Sequence, residues 1–190
     1  MRRRIPKRFL RPMLPSPRYL TVDHVTTDHD GVPSNAKRQF LFDCTGFEIS
    51  DLPNAVREYL EFGANTTGKK RLCASRNVWY AQEQRQPTQF LCSYMGRGDG
   101  KISPVRFILN DSKAIAANSF LMLYPKAGLK TILDQDPQSA EIVWRMMIQI
   151  PSTAIMASGR CYGGGLYKVE PKELANVPCK ELADWVKAHG

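Results

Sequence analysis

The residues best equipped for chemistry lie between Ser158 and Cys179, where SGRCYGGGLYKVEPKELANVPC sets three consecutive glycines among rings and cations. Tyr162 and Tyr167 flank Gly163, Gly164 and Gly165, and Arg160, Lys168 and Lys172 lie a few residues away. Glycine reaches φ > 0 without steric penalty and lets backbone approach a partner closely, at a cost in chain entropy. A loop bordered in this way fits a partner that carries phosphates and π-faces. A glycine-rich surface turn with no ligand fits the same spacing.

A second cluster spans residues 64–106. Lys69, Lys70 and Arg71 lead into Arg76, Trp79, Tyr80, Arg85, Arg97 and Arg106, opposed only by Glu83 and Asp99. Guanidinium groups pair bidentately with guanine edges, and rings stack on exposed bases, so this mixture suits a nucleic acid. Trp79 and Tyr80 equally suit a core. Gly96, Gly98 and Gly100 have the spacing of a nucleotide-binding loop, but such a loop opens a helix. Here Pro104 and a second β-like run follow, which predicts a hairpin turn with Arg97 at its tip.

The whole chain agrees with a polyanionic partner. Its 27 basic and 18 acidic residues give a net charge of +9 and a pI near 9.5, the electrostatic footprint of a nucleic-acid binder; an acidic protein partner fits that balance too. With 190 residues, 43% of them hydrophobic, the chain supports one core. No apolar run approaches the ~20 residues of a membrane span, and the cationic N-terminus lacks a signal-peptide core. Cys44, Cys73, Cys92, Cys161 and Cys179 form no Cys-x-x-Cys pair, so they are read as reduced, mostly buried thiols of a cytoplasmic protein. The loop holding Asp23-His24 and Asp28-His29-Asp30 has no spacing that would converge metal ligands.

These residues need elements to position them. Residues 1–18 carry seven cations, no acid and prolines at 6, 12, 15 and 17, which predicts an extended arm or linker, free to follow a phosphate backbone, or a solvated tail. Strands are expected over 39–44, 90–95, 105–109, 120–124 and 166–169. Helices are expected from an Asp51 cap through Phe62 with Gly63 as stop, from 139 to Pro151 with Asp136 or Ser139 as cap, briefly over 152–158, and from Pro171. Strands early and helices late predict an α+β domain on a mostly antiparallel sheet, its helices concentrated in the C-terminal part.

Several segments, in order along nearly the whole chain, resemble the C-terminal target-recognition region of adenine-specific (N-6) DNA methyltransferases of type II restriction-modification systems. They are Arg11–Leu20 (RPMLPSPRYL), Trp79-Tyr80 with Gln82, Phe90–Arg97, Arg106–Lys113 (RFILNDSK), Asn118–Lys126 and Gly159–Pro178. The last is also similar to the segment with which restriction-modification specificity subunits close each recognition domain. The resemblance implies a DNA target-recognition domain over 19–190 that binds double-stranded DNA beside a methyltransferase catalytic domain. That partner would lie on an upstream segment or a separate chain, and would carry the S-adenosylmethionine. The family's catalytic Asn/Asp-Pro-Pro-aromatic motif is absent, since the sequence has no Pro-Pro dipeptide. No catalytic residue, metal site or cofactor site is therefore assigned to this chain. A stand-alone nucleic-acid binding protein, or a degenerate restriction-modification remnant, remains the alternative. On chemical grounds the DNA contacts fall to Arg76, Arg85, Arg97 and Arg106, to Trp79 and Tyr80 by stacking or support, to Ser112 and Lys113 on phosphate, and to the loop holding Arg160, Tyr162, Gly163, Gly164, Gly165 and Lys168.

Overall fold

The computed structural model describes residues 5–98 and 101–190; Arg2, Arg3 and Arg4 of the arm and Asp99 and Gly100 of the glycine turn lie outside the described residues. The rest of the arm is packed, not free. A 3-10 turn leads into strand β1 (Leu10–Pro12), and Phe9 and Leu14 are completely buried. After β2 (His24–Val25), β3 (Phe40–Phe42) pairs antiparallel with β1 in a two-stranded ribbon.

Helix α1 (Asn54–Asn65) follows, then the single turn α2 (Arg71–Ala74). Val56 and Leu60 of α1 close a small core with Phe9, Cys44 and Leu52. Asp51 lies in a preceding 3-10 turn, and Pro53 occupies the N-cap position. Gly63 does not stop α1, which runs two residues further. Its lack of a side chain serves packing: a Cβ there would meet the Trp79 ring at 2.5 Å.

The main sheet is built from β2, β4 (Phe90–Ser93), β6 (Phe107–Asn110) and β7 (Phe120–Leu123) in the order β2-β6-β4-β7. Only the β2–β6 pair is parallel. β4 and β6 pair antiparallel as a hairpin would, Phe90 opposite Leu109. Gly96, however, is not in a turn: Met95–Arg97 forms strand β5, which leaves this sheet for another. The returning chain crosses so tightly over β5 that a Cβ at Gly96 would run into the Pro104 carbonyl oxygen.

Every residue of β4 and β6 is buried, as expected of strands covered on both faces. On one face, Phe90, Cys92, Phe107 and Leu109 meet the helices α3 (Ala127–Gln135), α4 (Ser139–Ile148) and α5 (Ser152–Ser158) through Leu133, Val143, Met147 and Ile155. Trp144 of α4 donates its indole N–H to the Phe107 carbonyl at 3.0 Å. On the other face, Leu91 and Ile108 pack with Leu14, Leu20 and Val25, so the N-terminal segment covers the sheet. Asp136 holds the start of α4, accepting from Ser139 Oγ at 2.6 Å and the Gln138 N–H at 3.1 Å.

The chain then forms β8 (Arg160–Tyr162), the tight turn Gly163–Gly165, β9 (Leu166–Lys168), the one-turn α6 (Pro171–Leu174) and α7 (Lys180–His189). Leu182 and Trp185 of α7 complete the helical layer. β5, β9 and β8 make a three-stranded antiparallel sheet. Tyr94, the single residue between β4 and β5, joins it to the main sheet. Its N–H donates to Ser119 O at 3.1 Å, its carbonyl accepts from the Val169 N–H at 3.2 Å, and its hydroxyl donates to Glu170 Oε1 at 2.9 Å. The fold is thus α+β with predominantly antiparallel sheets, and α3–α7 cluster in the C-terminal half.

Candidate nucleic-acid interface

Register on the three-stranded sheet decides which side chains share a face. Arg97 pairs with Leu166 and Leu166 with Tyr162; Met95 pairs with Lys168 and Lys168 with Arg160. Paired residues point to the same side, as do residues two apart along a strand. One face therefore carries Arg97, Arg160, Lys168 and Tyr162 together. The sequence separates Arg97 from the other three by more than sixty residues, and the β5–β9 pairing removes that distance.

Two of these cations are held by carboxylates that the sequence reading did not single out. Arg160 Nε donates to Glu173 Oε1 at 2.7 Å, while its side chain stays 67% exposed. Lys168 Nζ lies 2.7 Å from Glu170 Oε1 and 4.8 Å from the centre of the Tyr94 ring. The Glu170 bond, then the Tyr94 hydroxyl, raise the Lys168 pKa, and Glu173 does the same for Arg160. Lys168 in turn holds Glu170 below the usual carboxylate range. The signal for these partners was Glu-Pro-x-Glu itself: Glu170 and Glu173 form the capping box of α6, with Pro171 in its first turn. One motif thus starts the helix and orients the cations.

The glycine turn closes the β8–β9 hairpin at the edge of this face. Gly164 and Gly165 have φ of +73° and +69°, and Arg97 Nε donates to the Gly164 carbonyl at 3.3 Å. Gly163 does not have a positive φ. A Cβ on any of the three would meet nothing in this chain within 4 Å. Backbone conformation therefore accounts for glycine at 164 and 165 but not at 163, and the turn presents bare backbone outward.

The second cluster lies beside α1. Trp79 and Tyr80 make a perpendicular ring pair with centroids 5.7 Å apart, half-buried against the small core. Arg76 is exposed and donates to the Ala81 carbonyl at 2.9 Å. Arg85 is only 25% exposed, joining Glu83 at 2.6 Å and the Ala116 carbonyl at 3.2 Å. Other expected contacts have internal tasks. Arg106 binds Asp23 and the carbonyls of Pro17, Leu20 and Val22. Ser112 is buried, its hydroxyl donating to Asn110 Oδ1 at 2.6 Å and accepting from the Ala114 N–H. Lys113 is exposed, its aliphatic stem lying over Gly31.

The buried thiols are poor nucleophiles. Burial pushes the Cys92 thiol up to about 12 and raises Cys44, and such thiols are inert. Of the five free cysteines only these two are fully buried, and Cys161 is exposed, so the expectation of mostly buried thiols fails. In the Asp/His loop, Asp28 accepts from the Val32 and Asp30 N–H groups and pairs with Arg38, while His24 pairs with Asp111 at 2.6 Å. Among the described residues no three His, Cys, Asp or Glu side chains gather to hold a metal. Gly96 and Gly98 lie close against the backbone of Ile102 and Pro104, and β6 is the next described element after β5. Among the described residues no helix is long and apolar enough to cross a membrane.

Comparison with known proteins places this geometry in context. Residues 6–189 match the sequence family described as the type II methyltransferase M.Eco57I, C-terminal domain. The type II methyltransferase M.XamI of Xanthomonas campestris pv. amaranthicola is 32% identical over 107 residues, 56% of this chain and 18% of that protein. The type II methyltransferase M.AccI of Acinetobacter calcoaceticus is 27% identical over 148 residues, 77% of this chain and 25% of that protein. The chain thus spans at most a quarter of these relatives. No solved structure matches it.

Proposed function

The chain belongs to the family of the M.Eco57I C-terminal domain, and from that premise we propose that it is the DNA target-recognition portion of an S-adenosylmethionine-dependent, adenine-specific methyltransferase. It binds double-stranded DNA against a catalytic domain that is not part of these residues and that carries the cofactor. The observation that carries this reading is the three-stranded sheet, which gathers Arg97, Arg160, Lys168 and a bare glycine turn on one face. Cations and backbone that can be approached closely suit phosphates, and phosphate contacts fix register before bases are read. Taking an adenine out of the stack costs a few kcal/mol, and contacts from a recognition domain offset that cost.

This chain's own residues bind and orient; methyl transfer is the work of the absent domain. Purified alone, the chain is expected to bind duplex DNA and to transfer no labelled methyl group to it. Mixed with the matching catalytic domain and S-adenosylmethionine, it is expected to support incorporation. Methyl transfer by the chain alone would overturn this division of labour, and failure to bind DNA at any salt concentration would overturn the recognition role.

A further inference from the structure

We propose that the aromatic cavity between α1 and the segment following α2 is a seat for a single unstacked nucleobase of the bound DNA. The proposal rests on the DNA-binding reading above and adds to it a site on a different part of the molecule from the three-stranded sheet. The cavity has a volume of about 290 Å³, with Phe42, Tyr59, Trp79, Tyr80 and Arg76 among its walls. That is near the lower end of the ~300–1,000 Å³ of small-molecule sites. Its walls are fixed by packing. Phe42 and Tyr59 form a perpendicular pair at 4.9 Å, Trp79 and Tyr80 another at 5.7 Å, and Trp79 is set against the backbone of α1 at Gly63.

Two further observations identify the chemistry of the occupant. Exposed apolar groups line the cavity and neighbour it in sequence: Tyr59 and Phe62 of its walls are 41% and 59% exposed, and Leu72 and Val78, next to the lining residues Cys73 and Trp79, are 78% and 43% exposed. Clustered exposed apolar groups mark a binding surface. The segment that supplies Thr66, Thr67, Cys73, Arg76 and the Trp79-Tyr80 pair to the walls is strongly cationic, because residues 65–82 contain Lys69, Lys70, Arg71 and Arg76 and no acid. Among the described residues none of these four makes an ion pair, whereas Arg85, Arg106, Arg160 and Lys168 all do. Aromatic walls inside and unpaired cations outside match a base with its flanking phosphates. An apolar peptide would use the walls but not the cations. Stacking tolerates any base, so the cavity would hold a base without reading its identity; among the described residues Arg76 is the one charged donor on its walls.

The test uses the full chain and three labelled short duplexes of one sequence in fluorescence-anisotropy titrations: fully paired, with one extra unpaired adenine, and with one extra abasic unit. The abasic bulge bends and loosens the duplex equally but offers no ring. An unpaired base has already lost much of its stacking, so the protein need not extract it. The adenine bulge is expected to bind about tenfold tighter than the abasic bulge. Tyr59→Leu, which keeps an apolar side chain at a half-exposed position, should collapse that ratio to below about twofold. Equal binding of the two bulges by the unaltered chain would overturn the proposal while leaving DNA binding intact. An unchanged ratio in a folded Tyr59→Leu variant would overturn it as well. If no duplex is bound, the recognition reading fails and this inference falls with it.

Discussion

Arg97 and Gly164 are joined by a hydrogen bond of 3.3 Å from the guanidinium Nε to the backbone carbonyl, linking β5 to the turn between β8 and β9. The bond fixes the glycine turn from outside its own hairpin and sets an arginine beside it.

The glycines separate conformation from contact. Gly164→Ala places a side chain at φ +73°, and it is expected to cost about 1 kcal/mol or more in stability. Gly163→Ala meets neither strain nor neighbours, and it is expected to melt at or slightly above the temperature of the unaltered chain. If the turn lies on the DNA backbone, Gly163→Ala nonetheless weakens binding, because the added methyl stands where phosphate approaches. A thermal melt and an anisotropy titration on one preparation check this, and unchanged affinity in Gly163→Ala would show that the turn does not touch DNA.

Salt dependence measures how many phosphates the chain engages. Six to ten contacts predict a fall in affinity of roughly 10³ to 10⁵ between about 50 and 200 mM salt. Replacing Arg2, Arg3, Arg4, Lys7 and Arg8 together by glutamine is expected to flatten the slope without altering sequence preference. Lys7 and Arg8 are exposed although Phe9 beside them is buried, so the folded body should survive. An unchanged slope would show that the N-terminal cations make no contact with DNA.

Arg106 tests the internal task that the structure gives it. Its bonds reach Asp23 at 2.8 Å and the Leu20 carbonyl at 2.8 Å, with Pro17 and Val22 at 3.2 Å. Arg106→Lys keeps the charge but loses the planar fork, and a loss of about 2 kcal/mol is expected. For a chain of this size that lowers Tm by roughly 4–8 °C. Denaturation followed by circular dichroism checks it. If the melt is unchanged and DNA affinity falls instead, Arg106 acts as a contact.

Much of this architecture was legible in local sequence because the relevant signals are local. Phe40–Phe42, Phe90–Ser93, Phe107–Asn110 and Phe120–Leu123 are short apolar runs bounded by turn residues, and the spacing of Val143 and Met147 marks α4. Pro171 with its two glutamates marks α6. Helices α3 and α7 escaped notice: α3 has Gly128 in its first turn and β-branched Thr131 and Ile132 at its centre. Such a helix is held by packing, here against α7, more than by propensity. The pairing of β5 with β9 could not be read locally either, since nothing in Met95–Arg97 announces a partner some seventy residues away. The candidate site divides in the same way. Arg160 to Lys168 stood out as one loop leading into a strand, although β8, which makes it a hairpin, was not foreseen, and the role of Arg106 depended on carbonyls of residues 17–22. No residue type can reveal which backbone oxygens will surround it.

Tyr94 gives the cationic sheet no hinge. It separates β4 from β5 by a single residue, and its N–H, carbonyl and hydroxyl are all bonded, to Ser119, Val169 and Glu170. Arg97 and Lys168 are thereby coupled through a short, fully hydrogen-bonded connection to β4, a strand buried on both faces. On the DNA-binding role proposed above, the softer body would be the duplex, and it is the DNA that is expected to bend.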